Sequence, residues 1–258
     1  MVTVVVFTGL AGSGKTSLVA SYGNWLREAL LQRVAQVNLD PGVEVLPYKP
    51  VFDVRDLFTL SEIMRTYGLG PNGGFIKAGE LIAERSSEIF LREPFSNLSE
   101  WDYVLIDTPG QMDAFIFRPA GNIFLEALTR IVNAVNIYVI DSTAIRSLAD
   151  ALTIWLLGLL THLKIGLQTV PVVNKVDVVS NGAKYVRLLV EEPGKLIELS
   201  KEGFREGLLS DITIELAEIA FKLQRPLRPI EVSAKSLSGI ELLHSIVHEV
   251  FCSCGDLT

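Results

Sequence analysis

Six apolar runs of four to six residues alternate along the chain with longer segments whose apolar positions recur at helical spacing. The runs cover residues 2–7, 34–39, 103–106, 135–140, 169–173 and 229–232. Most of them have no polar face, as expected for strands that helices cover on both sides. The pattern predicts an α/β fold with a doubly wound, mostly parallel sheet. In such a sheet, ligands bind at the carboxyl ends of the strands.

Two longer stretches interrupt this alternation. Within residues 50–100, Thr59 and Glu62 form a capping-box pattern that opens a short helix, and the periodicity predicts a longer helix over residues 75–92. Residues 178–228 form a second, mainly helical insertion, with its clearest periodicity over residues 210–223. We interpret both as insertions in a single domain of residues 1–258.

The composition excludes several broad classes. The net charge of −7 argues against a general nucleic-acid binder, because no basic surplus exists to neutralise many phosphates. Cys252 and Cys254 are the only cysteines, which excludes a disulfide framework. The first run leads into a glycine-rich turn instead of a cleavage site, so we expect a cytoplasmic protein. The apolar helical run at residues 151–163 is too short for a membrane span and is expected to be a buried or interface helix.

Three metal-ligating residue types recur at a spacing of four near the end of the chain. On one helix these residues, His244, His248 and Cys252, would share a face. They could hold a metal ion. A solvated helix face is the favoured alternative, because apolar residues mark the opposite side: Ile240, Leu243, Val247 and Val250.

The first apolar run ends in a phosphate-loop sequence. Residues 9–16 read Gly-Leu-Ala-Gly-Ser-Gly-Lys-Thr and fit the pattern G-x-x-x-x-G-K-[ST]. The glycines let backbone N–H groups turn inward, and the positive end of the predicted helix 15–31 attracts a polyphosphate. Lys15 is predicted to bind the β- and γ-phosphates, Thr16 to bind Mg²⁺, and Ser17 to donate near the α-phosphate. The predicted phosphate-binding residues are Gly12, Ser13, Gly14, Lys15, Thr16 and Ser17.

Two further strand ends carry carboxylates. Asp40 follows the second run and could hold a Mg²⁺-bound water or orient the attacking water, although a turn aspartate before a proline is an equal alternative. Asp107 follows the third run and opens the sequence Asp-Thr-Pro-Gly-Gln, which predicts a Mg²⁺ ligand acting through water. In the same turn, the Gly110 N–H is predicted to contact the γ-phosphate and Gln111 to orient the hydrolytic water.

The fifth run ends in Asn-Lys-Val-Asp, which predicts selection of guanine. Asp177 can accept hydrogen bonds from the N1–H and the 2-amino group of guanine, and adenine lacks these donors. Asn174 can tether neighbouring loops and the base edge, and the stem of Lys175 can lie over the ring. After the last run, the Ala234 N–H could bind guanine O6. A chance turn is the alternative for this tetrapeptide.

A glycine-rich segment at residues 68–74 contains Gly70, Pro71 and Asn72. Such a segment is typical of a turn, and a proline that stiffens it and presents the Asn72 amide outward also suits a functional loop. With this segment included, the order of motifs resembles the GPN-loop GTPases, P-loop NTPases of the SIMIBI type, over essentially the whole chain. The resemblance implies a G domain and a homodimer in which Asn72 of one subunit acts at the γ-phosphate and Mg²⁺ of the other, as an arginine finger does elsewhere. It also implies a role in assembling large complexes such as RNA polymerase.

The leading hypothesis is therefore a Mg²⁺-dependent homodimeric switch that hydrolyses GTP to GDP, with no direct nucleic-acid or membrane binding. A phosphotransferase acting on a small acceptor and a GTP-stabilised scaffold without turnover are the alternatives. The dimer surface is expected on residues 154–160, for which core packing is the favoured use, or on the helices that flank Asn72. The candidate catalytic residues are Lys15, Asp40, Asn72, Gly110 and Gln111.

Overall fold

A parallel sheet of seven strands, in the order β3-β2-β4-β1-β5-β6-β7, forms the centre of the computed structural model, which describes residues 2–178, 181–191, 215 and 229–253. All the strand pairs are parallel. The strands are β1 (Thr3–Thr8), β2 (Val34–Asn38), β3 (Phe52–Asp53), β4 (Tyr103–Asp107), β5 (Ala134–Asp141), β6 (Gln168–Asn174) and β7 (Ile230–Glu231). The described helices are α1 (Lys15–Ala29), α2 (Leu60–Tyr67), α3 (Pro71–Glu84), α4 (Ser86–Phe90), α5 (Met112–Phe115), α6 (Pro119–Thr129), α7 (Leu148–Ile165), α8 (Asn181–Glu191) and α9 (Ile240–Ser253).

The helices bury both faces of the sheet. On one face, apolar side chains of α1 and α9 pack on the strands, with Leu18 and Leu243 fully buried. On the other face, α3, α6 and α7 supply the core, with Ile82, Phe124 and Trp155 among the buried side chains. Because both faces are covered, the central strands are mostly apolar, and the buried polar side chain of Asn136 in β5 is hydrogen-bonded to Thr8 and Thr169. The predicted doubly wound α/β fold is confirmed.

The six predicted strands all form, and each observed boundary lies within one residue of its prediction. The seventh strand, β3, was not predicted, because two residues are too few to show an alternating pattern. The capping box of α2 is present, since Thr59 accepts the Glu62 N–H and Glu62 accepts the Thr59 N–H. The first helix ends two residues before its predicted end at residue 31.

The helix predicted over residues 75–92 is wrong at both ends. Helix α3 begins at Pro71, so half of the glycine-rich segment is helical, and it ends at Glu84 before the short helix α4. Proline suits a first helical position because the missing N–H would have no partner within the helix. The Gly-Pro-Asn sequence is thus the start of a helix instead of an isolated turn.

Helix α7 is longer than the predicted run of residues 151–163. A capping box at Ser147 starts it earlier, and its 18 residues, with a mean hydropathy of 1.4, make it the one described helix whose length and composition would allow a membrane crossing. The argument that it is too short is therefore wrong. One face, with Trp155 and Leu159, is buried as expected, while Leu163 on the helix is 72% exposed.

The histidine-bearing face of α9 is not a solvated face throughout. His244 is half-buried, contacts the rings of Trp25 and Tyr103, and lies 3.1 Å through Nδ1 from the Tyr22 hydroxyl. The opposite side is buried as predicted. Among the described residues, no group of three His, Cys, Asp or Glu side chains is placed to hold a metal ion. The side chain of Cys252 and all of Cys254 lie outside the described part of the chain. Most of the insertion at 178–228 also lies outside the described part of the chain, including the predicted periodicity at 210–223 apart from residue 215. Helix α8 belongs to the insertion and lies within the described part.

Candidate functional site

The phosphate loop connects β1 to α1 at the carboxyl edge of the sheet. Gly14 precedes α1 with a φ of 89°, and a Cβ atom there would lie 2.5 Å from Asn174 Nδ2. The same Nδ2 donates to the Ser13 carbonyl at 3.1 Å. Gly14 brings no capping side chain, so the positive end of α1 faces the loop. The structure thus joins the predicted phosphate-binding loop directly to the predicted base-binding strand end.

Lys15 lies folded against this loop. Its ammonium donates to the carbonyls of Gly9 at 2.9 Å and Leu10 at 3.2 Å. Burial lowers the pKa of Lys15, while the nearby carboxylates of Asp107 and Asp40 act in the opposite direction. Phosphate oxygens would be stronger partners for this ammonium than neutral carbonyls are.

Two buried polar atoms of the site have no hydrogen-bond partner among the described residues: Ser13 Oγ and Asp107 Oδ1. Burial raises the pKa of Asp107 to about 6, against the opposing effects of Thr16 and Lys15. A buried carboxylate that lacks a full charge partner is costly, and oxygen ligands of this kind are what Mg²⁺ prefers. The residues present therefore fit a Mg²⁺-bound phosphate.

Tyr48 also contacts the predicted metal ligand and was missed in the sequence. Its hydroxyl donates to Asp107 Oδ2 at 3.2 Å, from the loop that follows β2. Burial and the neighbouring Asp107 raise the pKa of Tyr48, which keeps the hydroxyl a neutral donor. A single tyrosine between two prolines carries no motif, so no sequence signal marks this contact.

Asp40 joins the second and fourth strand ends. Its Oδ2 accepts the Gly110 N–H at 2.9 Å, and its Oδ1 accepts the Gly42 N–H, also at 2.9 Å. The second bond is the turn role expected of an aspartate before a proline, while the first places the carboxylate beside the predicted γ-phosphate donor. In this structure that donor is therefore already paired with an internal acceptor.

A chain of buried hydrogen bonds holds Asp40 in place. Asn38 accepts the Asp40 N–H at 3.0 Å and donates to the Asp40 carbonyl at 3.1 Å and to Asp53 Oδ1 at 2.9 Å. Arg55 pairs with Asp53 at 2.6 Å and donates to the Val43 carbonyl at 3.0 Å. Burial acts to raise the pKa of Asp53, but the hydrogen bonds from Arg55 and Asn38 outweigh it and hold that pKa below its usual range. Asn38 and Arg55 thus hold the first part of the loop after β2, at Asp40 and Val43.

The predicted guanine-binding residues lie together. Asn174 Oδ1 accepts the Ala234 N–H at 3.1 Å, so this donor, predicted for guanine O6, is engaged by the asparagine here. Ser233 donates to Asp177 Oδ1 at 2.7 Å. Asp177 is an exposed residue. Asn174 thereby ties the phosphate loop to the loop after β7.

Lys175 lies between the two halves of the site. Its ammonium donates to the Gly12 carbonyl at 2.6 Å and pairs with Asp141 Oδ2 at 2.7 Å, and its own carbonyl accepts the Ser142 hydroxyl at 3.0 Å. Asp141 and Ser142 were missed in the sequence. A usable signal existed for Asp141, because it directly follows an apolar strand, as Asp107 does.

The remaining predicted residues take no part in these contacts. Asn72 is exposed in the first turn of α3, and none of the hydrogen bonds described above involves it. The start of α3 lies beside the loop after β2, since a Cβ atom on Gly42 would be 2.8 Å from the Phe75 ring. Gln111 is partly buried and directly precedes α5, and Ser17 is exposed in the first turn of α1.

Comparison with known proteins places this site in a family. A family model described as "Conserved hypothetical ATP binding protein" matches residues 7–253. The chain is 37% identical to GPN-loop GTPase PAB0955 of Pyrococcus abyssi, over 99% of this chain and 100% of that protein. It is 28% identical to GPN-loop GTPase 1 of Dictyostelium discoideum over 92% of this chain, and it spans 58% of that protein's length.

The fold agrees with a solved structure of the same relative. The crystal structure of PAB0955, a GTPase in apo form from Pyrococcus abyssi, superposes with a TM-score of 0.85 and 33% sequence identity over 98% of each chain. A family model that covers nearly the whole chain and a full-length relative at 37% identity agree with the motifs of the sequence. The chain belongs to the GPN-loop GTPase family.

Proposed function

We propose that this GPN-loop GTPase is a homodimeric switch that binds GTP with Mg²⁺, hydrolyses it to GDP and phosphate, and changes conformation between the two nucleotide states. The observation that carries the proposal is the position of Asn174. This side chain hydrogen-bonds the phosphate loop through Ser13 and the base-binding loop through Ala234. A triphosphate site and a guanine-selective edge are therefore parts of one binding site.

The base end supports guanine instead of the adenine nucleotide named in the family model's description. Asp177 is an exposed residue, and the Ser233 hydroxyl donates to its Oδ1. A carboxylate pairs with the N–H donors of guanine, whereas adenine would leave it unpaired. Calorimetry with GTP and ATP tests this directly, and equal affinity for the two would contradict the proposal.

The phosphate end supports hydrolysis. Lys15 would bind the β- and γ-phosphates, and Thr16 and Asp107 would hold Mg²⁺, with Asp40 beside them. When bound, the ion supplies positive charge that stabilises the β–γ bridge in the transition state. Gln111, ahead of α5, is the candidate to orient the attacking water.

The Asp40–Gly110 hydrogen bond supplies the two states of the switch. A γ-phosphate would take the Gly110 N–H from Asp40, and the freed carboxylate could then accept a hydrogen bond from the attacking water. GDP has no γ-phosphate, so the internal bond re-forms after hydrolysis. The loop after β2 would change conformation with the Asp40–Gly110 bond, because it contains Asp40 and is joined to the sheet through Asn38 and Arg55.

The homodimer and the action of Asn72 across it are supported by the family resemblance and by the exposure of Asn72 in the first turn of α3. The same resemblance supports assembly of a larger complex such as RNA polymerase, in the cytoplasm. The net charge of −7 supports a protein client in preference to direct nucleic-acid binding.

Multiple-turnover assays separate the candidate functions. The proposal expects free phosphate and GDP above background. A phosphorylated acceptor would instead indicate a phosphotransferase, and tight GTP binding without turnover would indicate a scaffold. Asn72→Ala is expected to bind GTP and to hydrolyse it slowly, while Asn24→Ala, an exposed helical control, hydrolyses it normally.

Mixing two impaired variants tests the action across the dimer. A mixed dimer of Asn72→Ala and Lys15→Ala subunits contains one site with both an intact phosphate loop and an intact Gly-Pro-Asn turn. Turnover in the mixture should therefore exceed that of either variant alone. An absence of recovery in proven mixed dimers would show that Asn72 acts within its own chain.

A further inference from the structure

We infer that Asp141 and Ser142 are positioning residues of the guanine site, which fix Lys175 over the base and thereby determine the affinity for guanine nucleotides. This inference rests on the proposed function, since it concerns the same site. Neither residue belongs to the Asn-Lys-Val-Asp sequence, and both come from the neighbouring strand end.

The pair holds Lys175 at both of its ends. Asp141 Oδ2 binds the ammonium at 2.7 Å, and the Ser142 hydroxyl donates to the backbone carbonyl of the same lysine at 3.0 Å. Lys175 has a φ of 63°, which is a left-handed conformation that costs free energy for a residue with a side chain. Such a conformation persists when surrounding contacts stabilise it, and the Ser142 hydrogen bond to the Lys175 carbonyl is a contact of this kind.

Asp141 is itself held in place, so it can fix the position of the Lys175 ammonium. Its Oδ1 accepts both the N–H and the hydroxyl of Thr143, at 2.8 and 2.7 Å, which leaves Oδ2 for the lysine. Its backbone pairs in register with Asn174 in the sheet. Gly182 packs so closely on the Ser142 backbone that any side chain there would collide with it. Strand, turn and helix thus hold Asp141 and Ser142 rigidly.

The two acceptors of the ammonium define the path of the lysine stem. Asp141 lies on one side, and the Gly12 carbonyl of the phosphate loop lies on the other at 2.6 Å. The stem therefore bridges the base-binding loop to the phosphate loop, where its methylene groups can cover the face of a base. The Lys175 side chain is 33% exposed and the Asp141 side chain 18%, so a lysine freed from Asp141 can turn into solvent.

The inference predicts a loss of affinity that leaves the chemistry intact. Asp141→Asn keeps an oxygen for Thr143 but presents an uncharged amide to the ammonium. We expect it to bind GDP and GTP each about tenfold more weakly, because a charge-assisted hydrogen bond is lost. The KM for GTP should rise by the same factor while kcat stays within about twofold, since no group at the γ-phosphate has changed.

Two comparisons separate positioning from a general structural effect. Asp141→Glu restores a carboxylate and should recover part of the affinity. Asp150→Asn is the matched control, because Asp150 also accepts backbone N–H groups, from Arg146 and Ser147, in the segment that leads into α7. We expect Asp150→Asn to lose thermal stability, as the Asp141 variant does, and to bind nucleotides like the unchanged protein.

Two results would overturn the inference: unchanged GDP affinity in a folded Asp141→Asn protein, or a kcat that falls in proportion to kcat/KM. Should that variant not fold, Ser142→Ala decides, with an expected loss of about threefold in GDP affinity and unchanged affinity as the contrary result. The unchanged protein is measured alongside. A clear preference for GTP over ATP there, combined with unaffected variants, refutes only the positioning role, whereas no GTP binding at all refutes the proposed function.

Discussion

Replacement of Asn38 by alanine tests the hydrogen-bonded chain that holds Asp40. Asn38 is fully buried and makes three hydrogen bonds, two to the backbone of Asp40 and one to Asp53. Alanine removes all three without introducing a new charge. The expected effects are a less stable fold and an Asp40 carboxylate that is held less firmly.

The magnitude follows from the surroundings of each lost bond. At about 1 kcal/mol net for each hydrogen bond, the three together give about 3 kcal/mol. Asp53 keeps its pairing with Arg55, and Asp40 is partly exposed, so water can reach its freed N–H. Both facts avoid the larger cost of an orphaned buried group, and we expect a loss of about 2–3 kcal/mol in the free energy of unfolding.

Urea denaturation and steady-state hydrolysis measure the two effects. Asn24→Ala serves as the control, because within the described part of the chain its exposed side chain accepts a single 3.3 Å hydrogen bond, from Arg27. A change within about 0.5 kcal/mol is expected. At a temperature where both proteins are folded, Asn38→Ala should bind GTP normally and show a kcat lowered by about tenfold or more, since Asp40 is no longer held in place. If both variants unfold at the same urea concentration and hydrolyse GTP at the same rate, the reasoning about this chain is refuted.

Three further predictions concern single side chains. Lys15→Ala should raise the Kd for GTP by about 100-fold in calorimetry, because it removes the charged donor to the phosphates; unchanged binding would mean that the loop does not hold them. Asp177→Asn should shift preference from GTP to xanthosine triphosphate in competition binding, since an amide donor matches the carbonyl at C2 of xanthine, and a variant that still prefers GTP would contradict the base assignment. The pKa of Asp53 is held below its usual range, so its contribution to stability is complete above the unfolded pKa of about 4 and is lost as the pH falls through the folded pKa. Asp53→Asn should therefore flatten the dependence of the urea midpoint on pH below about 4. An unchanged pH dependence in this range would contradict the prediction.

The sequence predicted six of the seven described strands and named residues at strand ends that the structure brings close together. Central strands show in the sequence because burial on both faces demands continuous apolar runs. The residues of the phosphate loop and of the Asn-Lys-Val-Asp motif are consecutive in the chain, so both motifs can be recognised without knowledge of the fold. That is why Lys15, Asp107 and Asn174 could be named in advance.

Contacts between residues far apart in the chain could not be predicted from local sequence patterns. Tyr48 reaches Asp107 from a loop 59 positions away, and Asp141 meets Lys175 across 34 positions. Such pairs depend on which strands are neighbours, and strand order is a property of the whole fold. The start of α3 is a different case, because Pro71 is itself a helix-start signal that the surrounding glycines obscured.

The direct hydrogen bond between Asn174 and the phosphate loop makes the nucleotide a chelating ligand. Once the phosphates are seated, the base meets its subsite at an effective concentration set by the ribose link, far above that of free nucleoside in solution. Guanosine and inorganic triphosphate supplied as separate molecules lack this increase in effective concentration, whereas GDP keeps it after the β–γ phosphate bond is cut. In the proposed switch, release of GDP would then be the slow step, and a partner that separated Asn174 from Ser13 would accelerate it.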